Sequence, residues 1–138
     1  MSGILSTFIA GATDAGDTQT DGDGTFHRIL DGALHEAAAR GLGMLRMEGI
    51  ARSAQVNRTT LYRRFQGIDG IMAALAAREG LRMRVALEES LGSIDDPADR
   101  LVEGFVTAVA YARAHPLVRR ATEFEPQLLI AVGLADNA

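Results

Sequence analysis

The side chains best suited to bind another molecule are arginines clustered in one stretch of the chain. Between positions 40 and 66 there are six arginines and a single acid, Glu48, although the whole chain carries a formal net charge of −4. The arginines are Arg40, Arg46, Arg52, Arg58, Arg63 and Arg64. All fourteen basic residues of the chain are arginine, so their clustering rather than their type is informative. Arginine forks bind phosphate or guanine, so the cluster favours DNA binding over its alternative, a solvated arginine face.

Two short helices are predicted to position these groups. The first has four apolar residues at i, i+3, i+4 and i+7 spacing: Met47, Ile50, Ala51 and Ala54. The pattern then breaks, and Asn57 can cap a second helix. On that helix Leu61 and Phe65 lie one turn apart and are predicted to point inward. Its outward side is then centred on Arg63 and shared by Thr59 and Thr60, so the sequence predicts a helix-turn-helix.

The same residues resemble a known signature. Ile50-Ala51 and the segment 56–65 are similar to the helix-turn-helix of the tetracycline-repressor (TetR) family. Upstream, residues 28–34 and Arg40-Gly41 stand where that family has its first helix and the glycine that ends it. The resemblance covers about residues 26–72. It implies a bacterial transcription regulator, in most members a repressor, that dimerises through C-terminal helices and releases DNA when a small molecule binds there.

The resemblance also implies roles for individual residues. It gives base contacts to Arg58, Thr59 and Arg63, and phosphate or backbone contacts to Thr60 and Tyr62. It makes Arg64 a flanking phosphate contact. The predicted DNA-binding set is Arg46, Asn57, Arg58, Thr59, Thr60, Tyr62, Arg63 and Arg64.

Three positions depart from the family pattern. Arg46 stands where the family usually has a threonine that caps the first helix of the pair, and it offers no acceptor for that cap. Ile68 replaces a lysine expected to reach a phosphate, and Ala37 replaces a bulky core residue. We therefore expect a genuine DNA-binding unit in which Arg46 can substitute for a phosphate contact without capping.

The helical patterns predict an all-α protein in three parts. Residues 1–24 are predicted to be a flexible acidic tail, 25–69 the helix-turn-helix DNA-binding domain, and 70–138 a helical region for ligand binding or dimerisation. Thr25 is expected to cap the first helix. A long helix is predicted from Ile68 to about Leu91, with a kink near Gly80 or burial on two sides. Another is expected to start at Asp96-Pro97.

Two expectations concern the helices after Gly70. They are predicted to form an apolar pocket for an inducer, lined by some of Leu75, Met83, Leu87, Phe105, Val109 and Phe124. Family members usually continue well beyond the position of Val132, so we expect a C-terminally short region and doubtful dimerisation. The apolar surface left for association would comprise Phe105, Val109, Leu128, Leu129 and Val132.

Other classes of protein find little support in the sequence. There is no cysteine, no nucleophile elbow and no phosphate loop. His27 and His35 are eight residues apart on one predicted helix, so they cannot bind one metal from adjacent turns, and we expect neither an enzyme nor a cofactor or metal site. Without a targeting signal the cytoplasm is the expected compartment, and no membrane partner is expected. The alternative is a helical ligand-binding or partner-binding protein without effective DNA contact, which predicts the same fold.

Overall fold

Six α-helices make up residues 22–124, the part of the chain that this computed structural model describes. They are α1 (Gly22–Arg40), α2 (Met47–Ala54), α3 (Arg58–Arg64), α4 (Ile68–Leu91), α5 (Pro97–Ala114) and α6 (Pro116–Phe124), with a 3-10 turn at Leu42–Met44. The predicted all-α class is therefore confirmed. The sequence also predicts a short helix from Pro126 to about Val132, which lies outside the described residues.

One hydrophobic core holds the first four helices together. Its buried members are Ile29, Leu30, Ala33, Ala37, Leu45, Met47, Ile50, Ala51, Ala54, Leu61, Phe65, Ile71 and Leu75. The whole apolar face predicted for α2 belongs to this core. We call residues 29–75, which span the core, the head. Because the core draws on all four helices of the head, it fixes the position of α3 relative to α1 and α2.

The two ends of α1 test the predicted boundaries of this helix. The helix begins at Gly22, so Thr25 lies in its first turn and does not precede it. Residues 1–21 of the predicted tail lie outside the described residues, while Gly22–Gly24 are helical. At the other end Gly41 has a φ of 95°, and its N–H donates to the carbonyl oxygen of Ala37 over 2.9 Å. That left-handed conformation strains residues with a side chain, which is why a glycine ends this helix.

The long helix α4 runs from Ile68 to Leu91, as predicted. It remains helical through Gly80, which is buried, and it packs against both α1 and α5. Ile71 and Leu75 enter the head core, while Arg78 and Glu79 are buried further along. Burial on two sides therefore accounts for the absence of a single apolar stripe along α4.

Helix α5 starts at the predicted cap. The Asp96 Oδ1 atom accepts hydrogen bonds from the backbone N–H groups of Ala98 (2.9 Å) and Asp99 (3.0 Å), and Pro97 occupies the first helical position. The helix ends at Ala114, and Pro116 opens α6 after the C-cap residue His115, because proline cannot continue the helix. We call α5 and α6 the distal helices. Within residues 97–124 no side chain of either helix is fully buried.

A buried polar cluster joins α4 to α1. The Nη1 atom of Arg78 donates to Oδ1 of Asp31 on α1 over 2.7 Å and lies 3.4 Å from the carbonyl oxygen of His27. The Nε atom of Arg78 donates to Oε1 of Glu79 over 3.0 Å. Since Arg78 and Glu79 are both over nine-tenths buried, each charge depends on its partners.

Glu79 also links this cluster to the distal helices. Its Oε2 atom lies 3.1 Å from Nε2 of His115, and its Oε1 atom accepts from Arg82 over 3.0 Å. Burial alone raises the pKa of Glu79, but the hydrogen bond to His115 and the charges of Arg78 and Arg82 outweigh it, so the pKa lies below its ordinary value. Burial, followed by the charge of Glu79, raises the pKa of the nearby Tyr111.

Candidate nucleic-acid interface

The turn between α2 and α3 is built from three residues of different roles. Gln55 adopts a left-handed conformation with a φ of 55°, which ends α2. The N–H of Val56 then bonds to the carbonyl oxygen of Ala51 over 3.0 Å. The Oδ1 atom of Asn57 accepts from the N–H of Thr60 over 2.7 Å, which confirms the predicted N-cap. The cap at Asn57 fixes the direction in which α3 begins at the next residue, Arg58.

The rotation of α3 is fixed by its two apolar residues. Leu61 is fully buried and Phe65, which follows the helix, is 6% exposed. The ring of Phe65 stacks on that of Phe26 from α1, with centroids 5.5 Å apart and planes inclined by 22°. Burying this side turns the opposite side outward, and Thr59 and Arg63 are accordingly exposed. The amphipathic pattern of α3 therefore predicted its orientation correctly.

The remaining residues of the predicted DNA-binding set lie on the same surface or at its edge. Tyr62 is half exposed, Arg64 is exposed, and Thr60 is partly buried beside the cap. Arg46 precedes α2 without a side-chain capping bond, as predicted; its Nη1 atom donates to the carbonyl oxygen of Leu45 over 2.8 Å. The arrangement presents arginine forks and hydroxyls side by side, and their assignment to DNA contacts stays a prediction.

Arg58, one of the predicted base readers, has a partner that sequence reasoning did not assign. Its Nη2 atom lies 2.8 Å from Oε1 of Glu48, in the first turn of α2. Both side chains are largely exposed, so the pair lies on the outer surface of the helix-turn-helix. In the sequence Glu48 stands out only as the single acid of the basic stretch, and its separation of ten residues from Arg58 gives no signal of contact.

Gly32 is a second residue whose role the sequence did not reveal. A Cβ atom at this position would lie 2.9 Å from the backbone nitrogen of Ala54 and 3.1 Å from the carbonyl oxygen of Ile50. Such distances are too short for any residue except glycine, so α1 and α2 cross in close backbone contact there. The small residue at Ala54, facing a glycine in α1, was the available signal.

The residues predicted to line an apolar pocket are spread over two environments. Leu75 belongs to the head core, and Met83 and Leu87 are partly buried on α4. The other three members, Phe105, Val109 and Phe124, are exposed. The predicted pocket stays a prediction.

A shallow cleft lies between α1 and the C-terminal end of α2. It is lined by Arg28, Asp31, Gly32, His35, Ser53, Ala54 and Gln55, and thus by none of the predicted pocket residues. Its walls carry charges of both signs. Residues 22–124 contain no group of three or more histidine or acidic side chains placed to hold a metal ion. None of the helices in that range has the length and apolar character of a membrane span.

Comparison with known proteins agrees with this geometry. The family model described as "Bacterial regulatory proteins, tetR family" matches residues 29–75, the range from the first to the last residue of the head core. The head is thus similar to the bacterial regulatory proteins of the tetR family. The predicted resemblance is thereby confirmed for the head, which contains the cap at Asn57, the buried Leu61 and the outward Arg63.

Curated proteins show similarity over a longer segment than the family model. Two proteins, from two strains of Mycobacterium tuberculosis, are each described as an uncharacterized HTH-type transcriptional regulator and are 30% identical to the chain over 89 residues. The aligned segment covers 64% of this chain but 44% of each relative. The chain thus spans less than half the length of the curated relatives it matches. No solved structure gave a significant match.

Proposed function

We propose that this chain binds double-stranded DNA by placing α3 in a major groove, and thereby regulates transcription. The observation that carries the proposal is the two-sided character of α3. Leu61 and Phe65 are anchored in the core, and this leaves Thr59, Tyr62 and Arg63 on the outer side. A helix fixed in this way can present side chains to base edges without reorganising.

The charges around α3 support the same function. Five of the six clustered arginines follow position 45, and four of them lie in α2 and α3: Arg52, Arg58, Arg63 and Arg64. Each arginine that neutralises a phosphate releases condensed counterions, so affinity should fall as salt rises. A chain with an overall charge of −4 would otherwise be repelled by DNA. The local basic surface is what makes binding possible.

Binding to the DNA upstream of the chain's own gene tests this proposal directly. The logarithm of affinity should fall with the logarithm of salt concentration by ~0.9 for each phosphate neutralised. Arg63→Ala should lower sequence preference by about 1–3 kcal/mol if Arg63 reads a guanine, whereas Tyr62→Phe should weaken all sequences equally if its hydroxyl meets phosphate. Arg84→Ala, outside the head on α4, is the matched arginine control. Unchanged binding by both head variants would contradict the assignment.

The regulatory part of the proposal concerns the helices after the head. DNA binding represses transcription, and a small apolar molecule bound beside α4 releases it. Arg78 supports this coupling because it joins α4 to Asp31 on α1, the helix that braces α2. Thermal stabilisation by apolar metabolites would identify such an inducer. We expect this activity in the cytoplasm, and we expect no catalysis.

Association of two copies forms the last part of the proposal. Reading two half-sites requires recognition helices about 34–36 Å apart, which a homodimer would supply. Phe105 and Val109, predicted to contribute to an association surface, are exposed on α5. The other predicted members, Leu128, Leu129 and Val132, lie outside the described residues. Light scattering over a dilution series measures whether association depends on concentration.

A further inference from the structure

The ion pair between Glu48 and Arg58 is unusual for its place in the molecule. Glu48 is the single acid between positions 40 and 66, and it lies on the surface that gathers the arginines. Its Oε1 atom is 2.8 Å from Nη2 of Arg58, the first residue of α3. The pair therefore bridges the two helices of the helix-turn-helix at the end where α3 begins.

Stability is a poor explanation for this pair. The side chains of Glu48 and Arg58 are 50% and 63% exposed, and exposed ion pairs contribute only about 0.2–1 kcal/mol. The cap at Asn57 and the burial of Leu61 already fix the start and rotation of α3. What the carboxylate changes is the electrostatics of the surface and the position of one guanidinium.

Both changes bear on DNA recognition. A carboxylate among phosphate-binding arginines is repelled by every DNA backbone, whatever its sequence. The same carboxylate occupies one of the five N–H donors of Arg58 and leaves the others in a fixed fork. A fork held in place can meet a matching base edge, while a flexible arginine would also reach for any nearby phosphate.

We infer that Glu48 is a positioning residue that holds Arg58 for base contact and lowers the affinity of the head for unrelated DNA. This inference rests on the proposed DNA-binding function. It assigns Glu48 a role in specificity, measured as the ratio of affinities for preferred and unrelated sequences. The charge of Glu48 and its reach to Arg58 contribute separately to that ratio.

Three substitutions separate these contributions. Glu48→Gln removes the charge and should raise affinity for unrelated DNA about threefold to tenfold, steepening the salt dependence by up to about one phosphate contact. Glu48→Asp keeps the charge but shortens the reach to Arg58, so unrelated DNA should bind as to the parent while preference falls. Glu88→Gln is the matched control, because Glu88 forms an exposed pair with Arg84 at 2.6 Å on α4.

A double-substitution cycle tests whether Glu48 acts through Arg58. With Arg58→Gln in place, Glu48→Asp should no longer alter sequence preference, because the guanidinium that it positions is gone. Thermal melting of each variant checks that the head remains folded.

The outcomes distinguish this inference from the function on which it rests. If the parent shows no salt-dependent DNA binding, the proposed function fails, and the inference fails with it. If the parent binds but Glu48→Gln leaves both the affinity ratio and the salt slope equal to those of Glu88→Gln, the inference alone is overturned. A raised affinity for unrelated DNA together with a lowered ratio supports it.

Discussion

The head and the distal helices contain apolar side chains of the same kinds but place them in opposite environments. Leu61 on α3 is fully buried, whereas Leu101 on α5 is 75% exposed. Val102 and Phe105 are also exposed, although the sequence pattern gives α5 an apolar face. An apolar face on a helix thus shows which side is suited to burial; burial itself depends on a second surface that fits against it.

The two regions also differ in what attaches them. In the head, apolar burial and the close crossing at Gly32 hold the helices. The distal helices, none of whose side chains is fully buried within residues 97–124, make polar contacts with their neighbours: Ser90 to Glu103 and Thr107, Arg100 to the carbonyl oxygens of Leu91 and Ile94, His115 to Glu79, and Arg120 to the carbonyl oxygens of Ala38 and Ala39. We therefore expect core substitutions to destabilise mainly the head. Changes of charge should weaken mainly the junction, by which we mean the contacts of the distal helices with α1 and α4.

The sharpest test of this contrast removes the same atoms from both regions. Leu61→Ala should lower the free energy of unfolding by about 2–5 kcal/mol, because it leaves a cavity in a closed core. Leu101→Ala should change it by no more than about 0.5 kcal/mol, since that side chain is already in solvent. Chemical denaturation of the two variants measures both. Equal losses would show that the exposed face of α5 is buried in solution and that the contrast is wrong.

A smaller effect is expected where α1 crosses α2. Gly32→Ala should cost about 1–3 kcal/mol, because the new methyl group meets the backbone of Ala54 and Ile50 rather than a movable side chain. Gly24→Ala is the matched control on the same helix, where a Cβ would meet nothing within 4 Å. That control should be neutral or slightly stabilising, because alanine favours helix. Similar melting temperatures for the two variants would contradict the close crossing.

Local sequence signals predicted most of the head. The cap at Asn57, the inward pair Leu61 and Phe65, and the glycine that ends α1 each depend on a few neighbouring residues, and each was confirmed. The start of α1 was misplaced because Thr25 offered a good cap, although the helix extends back to Gly22 through two glycines that disfavour it.

Contacts between distant residues could not be predicted in the same way. Arg78 meets Asp31 across 47 positions, and His115 meets Glu79 across 36. No periodicity marks such pairs, because their partners are set by how whole helices pack. The Glu48–Arg58 pair escaped prediction for the same reason, since two charges on successive helices reveal neither distance nor direction. Candidate side chains of the site were therefore recognisable from sequence, while their partners required the fold.

The polar attachment of the distal helices can be tested through the dependence of stability on pH. The pKa of Glu79 is lowered in the folded chain, since contacts with His115, Arg78 and Arg82 outweigh the effect of burial. A carboxyl with a lowered folded pKa stabilises the fold above its unfolded value of about 4.3, and this contribution is lost as pH falls through the lower folded value.

Thermal melting between neutral and acidic pH, in the parent and in Glu79→Gln, isolates that contribution. At neutral pH the variant should be less stable, because the buried Arg78 loses its charged partner. On acidification the parent should lose more stability than the variant, so that the two curves converge below the ordinary carboxyl range. Glu88→Gln replaces an exposed carboxylate, so its melting curve should follow that of the parent throughout. Parallel curves for the parent and Glu79→Gln would show that the junction is held by packing instead, which would remove the difference in attachment between the two regions.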